Sequence, residues 1–426
     1  MNYTEALNYI HSIPKFRRPL GNANLRRLLE SLGNPQKNLS YVHIAGTNGK
    51  GSVAAMTARI LEESGYRTGL FTSPYLEVFN ERIRINGENI PDDKLADYTA
   101  RVKRAMETGD ALVSEFAFVT AVALLYLYEQ KCDIVILEAG MGGRLDATNV
   151  IDRSLVSVIC RIGLDHTQYL GNTVEEIAYE KCGIIRDGGT VVSYPNGDVE
   201  KIIKKCSEEK NARLIIAETA EDTENGFSYK GKEYLLSLKG SYQPQNAAVA
   251  LETIEILRQN GFNIPETAVL AGLRNVLWPA RFEFVTDNII IDGGHNIDGI
   301  RALRESLLSL DRPIVLVMAM MEDKDYETCI RHIAPIAKTV VATELNMPRC
   351  VSSGRISDIV KSMNIPVIVN NNPVEAVNAA LSAATSALTY SAPETGGGSV
   401  VCVCGSLYLA GEVRKNFRKT ENNTCK

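Results

Sequence analysis

The segment Gly46-Thr47-Asn48-Gly49-Lys50-Gly51-Ser52 sets glycines, a lysine and a serine where together they could grip phosphate. Glycine, having no Cβ, lets the backbone turn sharply and aim its N–H groups at phosphate oxygens. A helix starting there adds the positive end of its dipole, Lys50 a point charge for β and γ phosphates, and Ser52 a hydroxyl close to a metal. The match to G-x-x-x-x-G-K-[ST] is incomplete, because Ile44 stands for the first glycine and Gly51 for the Ser or Thr. The other reading is a glycine-rich turn with a surface lysine. The flanking elements favour phosphate: the apolar, β-branched run 41–45 reads as a buried parallel strand, and an alanine-rich helical run covers 52 to about 65.

A carboxylate closes a second apolar run. Residues 133–139, D-I-V-I-L-E-A, read as a buried strand ending in Gly140, Gly142 and Gly143. Glu138 thus falls at the carboxyl end of a strand, where open α/β sheets place ligands. Hard magnesium takes oxygen ligands, which makes Glu138 the best candidate carboxylate for it. A capped strand end near solvent is the other reading, disfavoured because acidic residues in buried strands are uncommon without a partner.

The elements that position these groups need a large framework, and 426 residues leave room for two or three domains. A content of 45% hydrophobic and 23% charged residues is ordinary for a soluble globular enzyme. The net charge of -5 argues against a general nucleic-acid binder. The longest apolar stretch, 116–128, falls short of a membrane span, and 1–10 lacks the basic region and apolar block of a cleavable signal. Nine cysteines form an odd set without CxxC spacing, and Cys402 and Cys404 fall on one face of an apolar strand as buried thiols, so a reducing cytoplasm is expected. Lys15, Arg17, Arg18, Arg26, Arg27 and Lys37 make the first 38 residues basic, either a solvated face or a means of steering an anionic substrate.

Further along, 67–71 reads as a strand and 72–84 as an irregular segment in which Pro74 prevents an ordinary helix start. Helices are expected at 92–106 and 114–131, the second apolar enough to pack under a sheet. A strand at 154–160 precedes the polar turn Asp165-His166, and Thr173 with Glu176 forms a capping box for a helix to 182. A strand at 190–194, α/β units over 199–218, a hairpin over 225–238 and a helix at 244–260 follow. After Trp278-Pro279-Ala280-Arg281 the pattern restarts: strands at 289–292, 314–319, 340–342, 367–369 and 400–403 alternate with helices as in a doubly wound domain. Residues 390–399 read as a flexible loop, and those after 419 as a frayed end.

With these motifs in order, the chain resembles the folylpolyglutamate and dihydrofolate synthases of bacterial type, within the Mur ligase superfamily. Residues 46–52 fit G-T-x-G-K-x-S, the loop variant of Mur-type ATP-dependent amide ligases, position by position. The likeness continues over nearly the whole length: T-S-P-Y-L at 72, N-E-R-I at 80, E-A-G-M-G-G-R-L-D-A-T-N at 138, L-D-H at 164, E-K-C-G-I at 180, W-P-A-R-F-E at 278, D-G-G-H-N at 292 and G-S-L-Y-L-A at 405.

The resemblance implies a ligase that joins an acid to the amino group of glutamate. It assigns ATP to Gly46, Thr47, Asn48, Gly49, Lys50, Gly51 and Ser52, with Asn246, Arg281 and Asp292 as further contacts. Ser73, Glu138 and His166 would hold magnesium, two ions of it, and Lys181 resembles a lysine that carries CO2 as a carbamate able to ligate metal. His295 and Ser406 match positions for glutamate handling, and Ser114, Glu115, Phe116, Leu145, Asp146 and Ala147 positions for the pterin acid. Lys50, Glu138, His166, Lys181, Arg281 and His295 make up the implied catalytic set.

On residue chemistry alone several assignments stay open. Imidazole is a poor magnesium ligand, so His166 also reads as a hydrogen-bonded turn residue. Lys181 also reads as a helix-surface lysine paired with Glu180 or Glu176, and Asn246, Arg281 and Asp292 as structural residues. His295 and Ser406 read equally as a turn residue and a helix cap, and Phe116, able to stack on a flat heterocycle, as core. Three departures stand out: Ala117 where many relatives carry Glu, Ala280 for a frequent Gly, and Cys182 for a common Ala. The first bears on the pterin pocket, while the others are small for small.

The expected architecture is α/β: a P-loop ATPase domain with a mostly parallel sheet, 1–280, binding ATP and pterin, then a smaller Rossmann-like doubly wound α/β domain, 281–426. The expected activity adds L-glutamate to folate, to dihydropteroate, or to both, through an acyl phosphate. Expected partners are these small molecules alone, without nucleic acid or membrane, for a monomer. One rival is another Mur-type amino-acid ligase, which usually places a nucleotide-sugar domain before the loop, where this sequence has 45 residues. The second is a P-loop NTPase switch without an acceptor.

Overall fold

Tyr41–Ala45 forms strand β1, and every one of its residues is buried. That is the pattern of a parallel strand covered on both faces, where each side chain must be apolar or internally paired. The computed structural model describes residues 1–15, 21–224, 226–386 and 398–424, with 418–424 as backbone. The chain divides into two units. Met1–Gly163, Thr167–Ser237 and Pro244–Leu277 make the first, and Leu164–His166, Leu238–Gln243 and Trp278–Lys426 the second.

In the first unit, β1 is joined by β2 (Thr68–Phe71), β3 (Ile83–Ile85), β4 (Glu88–Asn89), β5 (Ile134–Glu138), β6 (Val156–Ile159), β7 (Thr190–Ser193) and β8 (Arg213–Ile216). Among the described residues they form one sheet in the order β4-β3-β2-β5-β1-β6-β7-β8. Pairing is parallel from β2 to β8, with β3 and β4 antiparallel at one edge. The apolar helix Glu115–Glu129 is buried from Ala117 to Leu127, as an all-round hydrophobic helix must be. The helix Lys50–Glu63 lies close to Glu266–Asn275, where Gly272 leaves no room for a Cβ against the Ile60 backbone, 2.7 Å away.

β9 (Glu221–Thr223), β10 (Gly226–Tyr229) and β11 (Lys232–Leu235) form a small antiparallel sheet. The expected hairpin over 225–238 is thus present, with Asn225 itself outside the described residues, and β9 is an addition. Its three residues are all exposed, so no apolar alternation announced it.

The second unit carries β12 (Glu283–Thr286), β13 (Ile289–Ile291), β14 (Ile314–Met318), β15 (Ala337–Ala342), β16 (Val367–Val369) and β17 (Val400–Cys404) in the order β12-β13-β17-β14-β15-β16. All pairs are parallel except β12 with β13. Cys402 and Cys404 are buried free thiols on β17, as their spacing implied.

Some expectations shift. The helix after the glycine loop begins at Lys50, not Ser52. The segment expected to be irregular contains a 3₁₀ turn, Phe79–Arg82, and then β3. The last helix, Leu407–Thr424, runs beyond the expected fraying point at 419. Residues 390–397 of the expected loop, and Arg17 and Arg18 of the basic cluster, lie outside the described residues. No helix among those described is long and apolar enough to cross a membrane.

Candidate functional site

Register alone brings the first two groups together. Ile44 on β1 pairs with Glu138 on β5, so the carboxylate comes level with the point where β1 gives way to Gly46. Glu138 is 4% exposed. Its Oε1 lies 3.8 Å from the Lys50 ammonium, and its Oε2 accepts the Ser73 N–H at 3.1 Å. Lys50 also donates to the Thr47 carbonyl at 3.3 Å, which folds the lysine back over its own loop.

Lys181 reaches the same loop from the helix Val174–Cys182, whose capping box of Thr173 and Glu176 is formed as expected. It is 4% exposed, and its ammonium donates to the Gly46 carbonyl at 2.8 Å. The surface-pair alternative is therefore wrong. Glu180 is engaged by Arg144 at 2.8 Å, and Glu176 folds back on the helix start. Cys160, just past β6, feels Lys50, Glu138 and Lys181 together, though burial dominates and pushes its thiol up to about 12.

The loop is pinned from behind. Thr47 and Asn48 donate their N–H groups to the Arg161 carbonyl at 2.8 and 3.2 Å, and the Thr47 hydroxyl donates to the Gly163 carbonyl at 3.0 Å. Gly49 has φ +86, and a Cβ there would sit 2.5 Å from Oδ1 of buried Asn246. Gly51 and Ser52 lie in the first turn of the helix, with Ser52 buried. A Gly49→Ala variant is expected to raise KM for nucleotide about tenfold, because a side chain in the left-handed region costs ~1–2 kcal/mol and a tenfold change in affinity is about 1.4. Initial rates across nucleotide concentrations check this, and an unchanged KM would show that the loop accommodates the methyl group.

The residues matched to the pterin acid border the same sheet end. Ser114 caps the helix Glu115–Glu129 through Ala117 N–H, at 3.4 Å, and Glu115 pairs with His11 at 3.0 Å. Phe116 is partly buried, 5.8 Å from the Phe71 ring, and fills the space a Cβ on Gly140 would need. Leu145 is exposed and Ala147 buried. Asp146 is buried and turned inward: it accepts the Met141 N–H at 2.8 Å, the Thr148 N–H at 2.9 Å and the Thr148 hydroxyl at 2.6 Å. Of the basic cluster, Arg26 donates to Asp152 at 3.1 Å.

The remaining matched residues belong to the second unit. Asp292 accepts the Phe282 and Gly294 N–H groups at 2.8 and 2.7 Å and the Tyr242 hydroxyl at 2.9 Å. Burial raises its pKa, with Arg281 acting against that. A Cβ on Gly293 would meet the Arg281 guanidinium at 2.8 Å, so Arg281 lies over the glycine pair. Ser406 is buried and accepts the Tyr408 N–H at 3.2 Å, the helix-cap arrangement. His166 sits at φ +52 in a turn whose N–H donates to Asp165 at 2.8 Å. His295 faces the Gly293 carbonyl through Nδ1 at 2.8 Å, which places the proton on that nitrogen. Its Nε2 lies 3.8 Å from Asp165, while burial and then Lys324 hold the imidazole down to about 4.

The sequence marks Asp165 only as part of a polar turn and of the L-D-H match, and it does not single out Lys324 at all. Asp165 accepts from Lys324 and, at 3.1 Å, from Asn296; burial works to raise its pKa, but Lys324, His166 and His295 hold it below the usual carboxylate range. Lys324 follows the end of β14, so the rule that parallel strands present ligands at their carboxyl ends would have flagged it. Among the described residues, no group of three or more His, Cys, Asp or Glu side chains is placed to hold a metal ion.

Comparison with known proteins matches residues 44–254 to the Mur ligase middle domain and 280–407 to the Mur ligase glutamate ligase domain. The dihydrofolate synthase/folylpolyglutamate synthase of Bacillus subtilis (strain 168) is 33% identical, over 98% of this chain and 99% of its own length. The folylpolyglutamate synthase of Lacticaseibacillus casei is 37% identical, over 80% of this chain and 85% of its own. Among solved structures, E. coli FolC in complex with DHPP and ADP superposes with a TM-score of 0.87 at 27% identity, covering 99% of both chains.

Proposed function

Because the chain belongs to the Mur ligase family, in its folylpolyglutamate and dihydrofolate synthase branch of ATP-dependent ligases, we propose that it joins the carboxylate of a folate or of dihydropteroate to the amine of L-glutamate. The observation that supports the reading is the convergence of Lys50, Glu138 and Lys181 on one glycine loop. A free carboxylate resists attack by an amine, so phosphoryl transfer from ATP must first make it an acyl phosphate. The loop amides at the start of the helix Lys50–Glu63 hold the phosphates, and Lys50 neutralises charge that grows on the transferring group. Buried Glu138, held by the Ser73 N–H, keeps its orientation without a reorganisation cost.

Magnesium fits this donor set. The hard oxygens are a buried carboxylate and the Ser52 and Ser73 hydroxyls, and a carbamate on Lys181 would supply a second anionic ligand. When bound, the cation lowers the repulsion between the acceptor carboxylate and the γ-phosphate. On the resemblance, His166 is a further metal ligand, Asn246, Arg281 and Asp292 contact ATP, and His295 and Ser406 act on glutamate. Ser114, Glu115, Phe116, Leu145, Asp146 and Ala147 border the pterin.

Measured ADP release tests this. It is expected only when ATP, glutamate and a pterin acid are all present, and tetrahydrofolate compared with dihydropteroate identifies the acceptor. ADP formed without any acid would instead mark a nucleotide switch, and ADP formed with a different acid another Mur-type ligase.

A further inference from the structure

We propose that His43, in the middle of β1, is a positioning residue for the glycine-rich loop 140–146, acting through Thr148 and Asp146. The proposal rests on the reading of that loop as part of the acceptor site. His43 is fully buried in an otherwise apolar strand. A histidine there is costly unless both ring nitrogens are paired, and both are. Nδ1 lies 3.4 Å from Arg186 Nη2, and Nε2 lies 2.8 Å from Thr148 Oγ1.

Arginine can only donate, and this fixes the direction of every bond in the chain. Arg186 donates to Nδ1, the ring proton therefore sits on Nε2, and His43 donates to the Thr148 hydroxyl. That hydroxyl is left to donate its own hydrogen to Asp146 Oδ1, at 2.6 Å. Burial, reinforced by Arg186, holds the imidazole well below its ordinary pKa, so this single tautomer persists without a competing charged form.

The receiving end is what gives the chain a purpose. Gly140, Gly142 and Gly143 give the loop little conformational preference of its own, so its shape has to be imposed from outside. Asp146 imposes it, taking the Met141 N–H on Oδ2 and the Thr148 N–H on Oδ1. Arg186 adds a second tie by donating to Asn149 Oδ1 at 2.6 Å, while the Asn149 amide donates to the Arg144 and Gly183 carbonyls at 3.1 and 3.0 Å. The strand that leads into the phosphate loop thus also sets the loop that follows Glu138. A buried histidine that only filled core space would not need a polarised route to a glycine loop.

The test uses the full chain and four variants. His43→Leu and Thr148→Val each break the route at similar volume, and each is expected to raise KM for the pterin acid at least about tenfold, the effect of leaving one buried polar partner unsatisfied. KM for ATP should stay within about twofold. His43→Gln, whose Nε2 can donate to Thr148 while its Oε1 accepts from Arg186, and Thr148→Ser should restore the acceptor KM. Hydrogen exchange gives a readout apart from turnover: the Met141 and Thr148 amides should exchange faster in His43→Leu and Thr148→Val, with β1 and β5 still protected. Equal change in both KM values, or loosening of β1 and β5 together with the loop, would reduce His43 to a core residue. Should the unmodified protein lengthen no pterin acid, the proposed function fails, and exchange alone decides the positioning role.

Discussion

Replacing Lys50 with methionine is expected to lower kcat for glutamate addition by about 10²–10³-fold, the usual consequence of removing one fixed donor to charge that develops in the transition state. Methionine keeps the length and apolar stem of the side chain, so packing against the loop survives while the charge goes. The loop amides and the helix start still grip the nucleotide, which means ATP binding should weaken less than turnover. Lys50→Arg should not rescue the variant, since a planar fork cannot take the place of a compact ammonium folded back at 3.3 Å over the Thr47 carbonyl. Single-turnover rates, with ATP affinity by calorimetry and a thermal melt as controls, separate chemistry from binding and folding. Retention of a tenth or more of the normal rate by the methionine variant would remove Lys50 from the chemistry.

What could be read beforehand follows from how local each signal is. β1 and β5 announce themselves because parallel strands covered on both faces need unbroken apolar runs, and the capping box at Thr173 is complete within four residues of sequence. The phosphate loop is legible for the same reason, although its helix starts two residues early because Lys50 already takes helical geometry behind Gly49. Exposed β9 and the half-exposed edge strand β12 carry no such pattern. The pairings within the site that escaped detection are those made by the fold. Lys181 meets Gly46 across 135 residues, and Lys324 meets Asp165 across 159. From sequence, Lys181 looks like any lysine between glutamates on a helix, and only the packing of that helix against the loop buries it. His43 looks like an interruption in an apolar run until Thr148 and Arg186 are seen on either side of its ring.

Lys181 supports the second large expected effect, because two roles are open to it and they differ in charge. As an ammonium it holds the Gly46 carbonyl, and Lys50, Lys181 and Glu138 then sum to one net positive charge, a poor setting for a divalent cation. As a carbamate, formed when the neutral amine adds CO2 and releases a proton, it keeps one N–H for Gly46 and ends in a carboxylate. The same three groups then sum to one net negative charge, and the carbamate offers a hard cation a second anionic ligand in addition to Glu138. The addition requires the neutral amine, and Lys181 is buried. Lys181→Arg discriminates between the roles. A guanidinium can still donate to the Gly46 carbonyl, but it stays protonated and takes up no CO2. Under the carbamate reading the arginine variant should lose at least about 100-fold in kcat, the upper end of what disturbing the surroundings of a metal ligand costs. Protein equilibrated with ¹³C-bicarbonate should show a carbamate carbon resonance that the variant lacks. Near-normal turnover by the arginine variant, or no labelled resonance in the unmodified protein, would leave Lys181 as the ammonium that ties down Gly46.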